Sequence, residues 1–197
     1  MSTLQPEFFL PLLLFPALIF AAIYDLRYQK IPNLLNFSLA LFALIYHTAF
    51  TGLNGLAFGV TGMLLGTALF LPPYIFGGMG AGDTKLMGAI GAVLGAKGVF
   101  VSALFTAIFG GLYAVLLLLV YHGYARSLML RIWEALKTLV LMRRYIPDFS
   151  PQSTNTSPRL CYGIAIALGT LTHVLLQHLG IDVWNRLLKK KKNSATR

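Results

Sequence analysis

The sequence predicts an all-α membrane protein with about six transmembrane helices and a further amphipathic helix lying along the cytoplasmic interface. Three observations carry that expectation. Of 197 residues, 57% are hydrophobic and 11% charged, a balance that a soluble core of this size does not require. The apolar residues fall into runs long enough to cross a hydrocarbon layer of roughly 30 Å. The 16 Lys and Arg, against 6 Asp and Glu, sit between those runs, which is how charge that sets membrane orientation is distributed. The same interleaving makes the lipid bilayer the expected partner and argues against nucleic acid.

Spans are expected at 8–24, 34–50, 53–76, 84–95, 99–121 and 160–179. No Lys or Arg precedes the first span, while Arg27 and Lys30 follow it, so it reads as a retained helix with its N-terminus outside rather than a signal peptide. In the third span, Pro72 and Pro73 are expected to break the helix near its inner end, and Pro32 in K-I-P-N restarts the second. The fourth span is short, so it is tilted, extended past Gly95 or shielded by neighbours. Gly62 with Gly66, and Gly91 with Gly95, have the small-xxx-small spacing of helix packing faces.

After the fifth span, Arg131, Glu134 and Lys137 share one face of an apolar stretch at 126–142, the pattern of a helix in the interface plane. A polar, proline-punctuated segment at 147–158 follows it. The expected organisation is one polytopic domain over 1–185, with a cytoplasmic loop at about 122–159, and a basic tail at 186–197. That tail falls outside in a six-span layout, against its charge. The earlier helices are expected to fix the orientation.

The acids are few enough to weigh singly. Glu7, Glu134, Asp148 and Asp182 have solvated positions. Asp25 closes the first span and Asp83 opens the fourth. An acid at the bilayer centre costs about 2.5–3.5 kcal/mol, less toward the interface, and is rarely kept without a purpose. In the six-span layout both aspartates fall at one depth on the cytoplasmic side. Two carboxylates that meet in a low-dielectric site share a proton, and one can activate water while the other polarises a carbonyl. Gly80 and Gly82, just before Asp83, allow positive φ and close approach of a helix or a peptide substrate. The alternative is a set of interfacial ion pairs, Asp25 with Arg27 or Lys30 and Asp83 with Lys85.

Other chemistries lack their residues. There is no H-E-x-x-H among His47, His122, His173 and His178, so no metal is expected. The single cysteine, Cys161, allows neither an internal disulfide nor a cysteine zinc cluster. His173 and Gln177, one turn apart, suit a polar cavity or a helix-helix hydrogen bond.

The stretches D-L-R-Y-Q-K-I-P-N-L-L (Asp25 to Leu35) and G-G-M-G-A-G-D-T-K-L (Gly77 to Leu86) resemble the two signatures of prepilin peptidases, the GxGD aspartyl proteases of type IV pilus assembly. R-L-C-Y-G-I-A-I-A-L-G (Arg159 to Gly169) resembles the start of that family's last helix, with Cys161 where proline is usual. The resemblance implies that Asp25 and Asp83 are catalytic and that Gly80 and Gly82 shape the site. It also implies a prepilin substrate cleaved at the cytoplasmic face of a bacterial inner membrane, with no cofactor. The chain looks like the short, peptidase-only branch of Flp and tight-adherence systems, without the cysteine-rich domain that accompanies N-methylation. A non-catalytic membrane assembly factor, or a small transporter that uses Asp25 and Asp83 for ion pairing or proton relay, is the competing expectation.

Overall fold

The computed structural model describes residues 6–75, 78–120, 162–180 and 184. The expected interfacial helix at 126–142, the remainder of the 122–159 loop and the basic tail at 186–197 lie outside the described residues. Those that are described form four helices and no strand: α1 (Pro6–Tyr28), α2 (Asn33–Ile75), α3 (Ala81–Val120) and α4 (Tyr162–His178). Three of the four, over Leu10–Tyr28, Asn33–Ile75 and Ala81–Leu116, are long and apolar enough to cross a membrane, and the chain is a helical membrane protein.

Two glycines divide the longest helices. Gly52 has φ 64° and ψ −144°, and Gly95 has φ 69° and ψ −179°, conformations that a side chain with a Cβ rarely adopts. At each, the chain changes direction. The limbs of α2, residues 33–51 and 53–75, fold back on one another, and a Cβ at Gly59 would lie 2.8 Å from the Leu44 side chain. The limbs of α3 are residues 81–94 and 96–120. Both breaks fall where the sequence separates two apolar runs.

Cross-helix contacts fix the directions of the limbs. Asn36 Nδ2 donates to the Gly82 carbonyl at 3.1 Å, and His47 Nε2 lies 3.2 Å from the Val93 carbonyl. The constant offset along both chains means that 33–51 and 81–94 run parallel. Limb 53–75 runs the other way, because Gly62 faces Gly91 and Gly66 faces Met87. The second limb of α3 pairs antiparallel with α4, where Gly98 faces His173, Thr106 faces Gly169 and Gly110 faces Ala165. Finally, the last turn of α1 meets the first turn of α4 through Asp25 and Gly163.

The short limb 81–94 is the most enclosed part of the fold, with Leu86, Met87, Ala89, Ile90, Ala92 and Val93 all buried. Neighbouring helices shield it, one of the ways open to a span of that length. The two small-xxx-small pairs meet each other: a Cβ at Gly62 would strike the Gly91 carbonyl and approach the Gly95 Cα to 2.7 Å, and one at Gly91 would strike the Gly62 carbonyl.

Two boundaries depart from expectation. α2 runs through Pro72 and Pro73 to Ile75. Both prolines are exposed, so their rings stand clear of the packed core, and the Pro73 carbonyl accepts from the Gly78 amide at 2.9 Å as the helix ends. α1 continues past Asp25 to Tyr28 and ends at Gln29, which has φ 51° and donates its amide to the Asp25 carbonyl at 2.7 Å. Asp25 therefore sits inside the last helical turn. His173 is buried whereas Gln177 is exposed, so the two do not line one cavity.

Gly91→Leu should lower stability by about 3 kcal/mol, the upper range for overpacking a close-packed contact. Gly111→Leu, at an exposed glycine with nothing within 4 Å of its Cβ position, should change it little. Unfolding of the two variants in detergent micelles checks the contrast.

Candidate active site

Asp83 is the third residue of α3, and its position follows from local helix chemistry. The first amides of a helix have no internal partner. An acid at the third helical position can reach back to the amide of the residue that precedes the helix. Gly80 is that residue. Its N–H donates to Asp83 Oδ2 at 3.1 Å, and its carbonyl accepts from the Asp83 and Thr84 amides at 3.2 and 3.5 Å. Asp83 is 7% exposed, and its Oδ1 is buried with no hydrogen-bond donor among the described residues.

Asp25 reaches the same end of the bundle from α1. It is 6% exposed, and its Oδ2 accepts from the Gly163 amide at 2.9 Å. Gly163 is the second residue of α4, so this carboxylate also occupies a helix N-terminus, where unpaired amides and the helix dipole favour negative charge. A Cβ at Gly163 would sit 2.8 Å from Asp25 Oδ2 and 2.9 Å from Asp25 Cβ. Glycine is what lets the acid approach the amide. Asp25 lies close enough for its charge to act on Asp83.

The nearby cations turn elsewhere. Lys85 Nζ donates to Asn33 Oδ1 at 3.1 Å and lies 5.6 Å from the centre of the Phe37 ring. Arg27 lies 6.0 Å from the centre of the Tyr28 ring, and Lys30 is exposed. Among the described residues neither aspartate is in an ion pair, so the arrangement expected of a purely interfacial pair of salt bridges is not the one adopted.

Both sequence-singled glycines are at the site, with roles that the sequence left open. Neither has positive φ; among the described residues the glycines that do are Gly52, Gly95 and Gly180. Gly80 supplies the amide that holds Asp83. Gly82 supplies close approach, since a Cβ there would lie 3.2 Å from Ile31 Cβ and 3.3 Å from Ile31 N. The neighbour that Gly82 admits is thus the I-P-N segment of the chain itself. Two further residues belong to the site and were not singled out as such: Gly163, inside the R-L-C-Y-G stretch, and Asn36, whose amide binds the Gly82 carbonyl. The signal for Gly163 was its place in a motif. For Asn36 it was a polar residue one turn into an apolar helix.

Fold and site define a helical membrane protein with two buried aspartates brought together at neighbouring helix ends. The chain belongs to the type IV leader peptidase family, whose model matches residues 12–115, more than half the sequence and a span that includes both aspartates. It is accordingly a protein of a protease family with leader-peptidase-like function. No curated protein and no solved structure matches the chain.

Gly163→Val should push the Asp25 carboxylate from its place and lower leader cleavage about a hundredfold, the size of loss that a misplacement of about 1 Å can bring. Gly111→Val should leave turnover within twofold. A leader-cleavage assay on both variants checks the comparison.

Proposed function

We propose that this protein is a membrane-embedded aspartic endopeptidase that removes the N-terminal leader of type IV, Flp-like prepilins, with Asp25 and Asp83 as its catalytic pair. One observation carries the reading above the others: in a chain of the leader peptidase family, two buried carboxylates lie at one end of the bundle, with the charge of Asp25 in reach of Asp83. Each is held by a backbone amide, and neither is neutralised by a Lys or Arg among the described residues. In a low-dielectric site such a pair shares one proton. The ionised member takes a proton from the attacking water while the protonated member donates to the scissile carbonyl oxygen. The tetrahedral intermediate then collapses as the proton returns to the leaving amine. Oδ1 of Asp83 has no hydrogen-bond donor among the described residues and is the oxygen best placed to take part.

Gly80 and Gly82 shape the site in this reading, the first by holding Asp83 and the second by bringing the I-P-N segment against it. The chain works as a single domain of six spans, with the helix breaks at Gly52 and Gly95 dividing α2 and α3 into two spans each. The basic loop residues support an active site on the cytoplasmic side of a bacterial inner membrane. The single cysteine supports peptidase action without N-methylation.

Asp25→Asn and Asp83→Asn should each abolish leader cleavage of a co-expressed Flp-like prepilin, a loss of at least about a thousandfold for a group that moves the proton, while the protein still accumulates in the membrane. The purified enzyme should give a bell-shaped pH profile, since one carboxyl must be ionised and the other protonated. Near-normal cleavage by either variant, read as a mobility shift of the pilin, would return the aspartates to the assembly-factor or transporter reading.

A further inference from the structure

We infer that Asn36 is a positioning residue for the aspartate pair: its side-chain amide orients the peptide unit that carries Asp83. The inference rests on the reading of Asp25 and Asp83 as the catalytic pair. Asn36 lies in the first turn of α2 and is 3% exposed. Its Nδ2 donates to the Gly82 carbonyl at 3.1 Å, across 46 residues of sequence. That carbonyl belongs to the same planar peptide unit as the Asp83 N–H, and the Asp83 N–H in turn donates to the Gly80 carbonyl at 3.2 Å. The Asn36 and Gly80 hydrogen bonds thus grip opposite edges of one rigid plane with the Asp83 Cα at its corner, and the Asn36 bond is the side-chain share of that grip. A change of tilt moves the carboxylate away from the Gly80 amide that holds it at 3.1 Å.

Space-filling does not account for an asparagine here. Its Oδ1 is buried and accepts no hydrogen bond among the described residues. An unfilled buried acceptor is a net loss, which an apolar residue of the same size would avoid. Nor is Asn36 needed to dock the helices. Lys85 to Asn33 at 3.1 Å ties α3 to the first limb of α2, and Thr84 Oγ1 to the Phe70 carbonyl at 3.5 Å ties it to the second. Ile31 packs directly on Gly82. Removal of the Asn36 amide leaves those ties in place and takes from the Gly82–Asp83 peptide plane its side-chain hydrogen bond.

The test compares the full-length wild-type protein with Asn36→Leu and Asn36→Asp in lipid nanodiscs. Leu keeps the volume without the donor; Asp keeps the shape and, while ionised, cannot donate. Both variants should lose at least about tenfold in kcat on a prepilin substrate, with KM within twofold and an unfolding midpoint for Asn36→Leu no lower than that of the wild type. Hydrogen exchange of the peptide covering residues 78–86 should accelerate in Asn36→Leu. A kcat within twofold of wild type for Asn36→Leu overturns the inference and leaves the aspartate reading standing. If Asp83→Asn still cleaves, the aspartate reading falls, and the exchange measurement decides this inference by itself: unchanged protection at 78–86 overturns it and faster exchange upholds it.

Discussion

The structure depends on how two carboxylates are satisfied inside an apolar bundle. An acid at the centre of a bilayer costs about 2.5–3.5 kcal/mol, less toward the interface, and a hydrogen bond to a charged group returns about 1.5–3 kcal/mol. One backbone donor apiece is therefore enough only at a helix end, and that is where both acids are. Gly80 serves Asp83 at the start of α3, and Gly163 serves Asp25 at the start of α4. Helix N-termini are the places in a membrane protein where spare amides are guaranteed. The bundle has to bring two of them to one end and deliver an acid from a third helix into the second.

That requirement explains where the close-packed glycines fall. Antiparallel contact at Gly62 and Gly91 brings limbs 53–75 and 81–94 within backbone distance of each other, and so controls how limb 81–94, with Asp83 at its head, sits in the core. Gly169 does the same between α3 and α4, where the Thr106 backbone fills the space that a side chain at Gly169 would occupy. Such contacts suit a lipid-facing bundle, in which burial of apolar area gives little preference for helix over lipid and van der Waals packing selects the neighbours. The Gly62–Gly91 interface places the limb that carries Asp83, and the Gly169 interface places the helix whose Gly163 amide holds Asp25.

Much of this was legible in the sequence, and the parts that were not share a cause. The apolar runs, the break between spans two and three, the small-xxx-small faces and the two exceptional acids all depend on residue type and spacing along one chain. The run of α2 through Pro72 and Pro73 was missed because a proline is tolerated where its ring faces outward near a helix end, a matter of exposure rather than of sequence. The type of Gly82 leaves open whether a helix or a peptide substrate approaches it; the neighbour it admits within the chain is Ile31, which precedes it by fifty-one positions. Asn36 went unnoticed for the same reason: its partner is a carbonyl, and backbone acceptors leave no trace in residue identity.

The three sequence stretches at the site are best understood as parts of one another's supports. The first contributes Asp25, but its Ile31 and its flanking Asn36 are spent on Gly82, the neighbour of the other acid. The second contributes Asp83 together with Gly80, which holds it. The third contributes no acid and supplies, through Gly163, the amide that Asp25 needs. Each carboxylate is thus fixed by residues outside its own helix or at its very start, and the two positions are mechanically linked through the Ile31–Asn36 segment. A site built in this way can keep two acids together without a cation between them, because their distance is set by helix packing and peptide planes and not by mutual attraction.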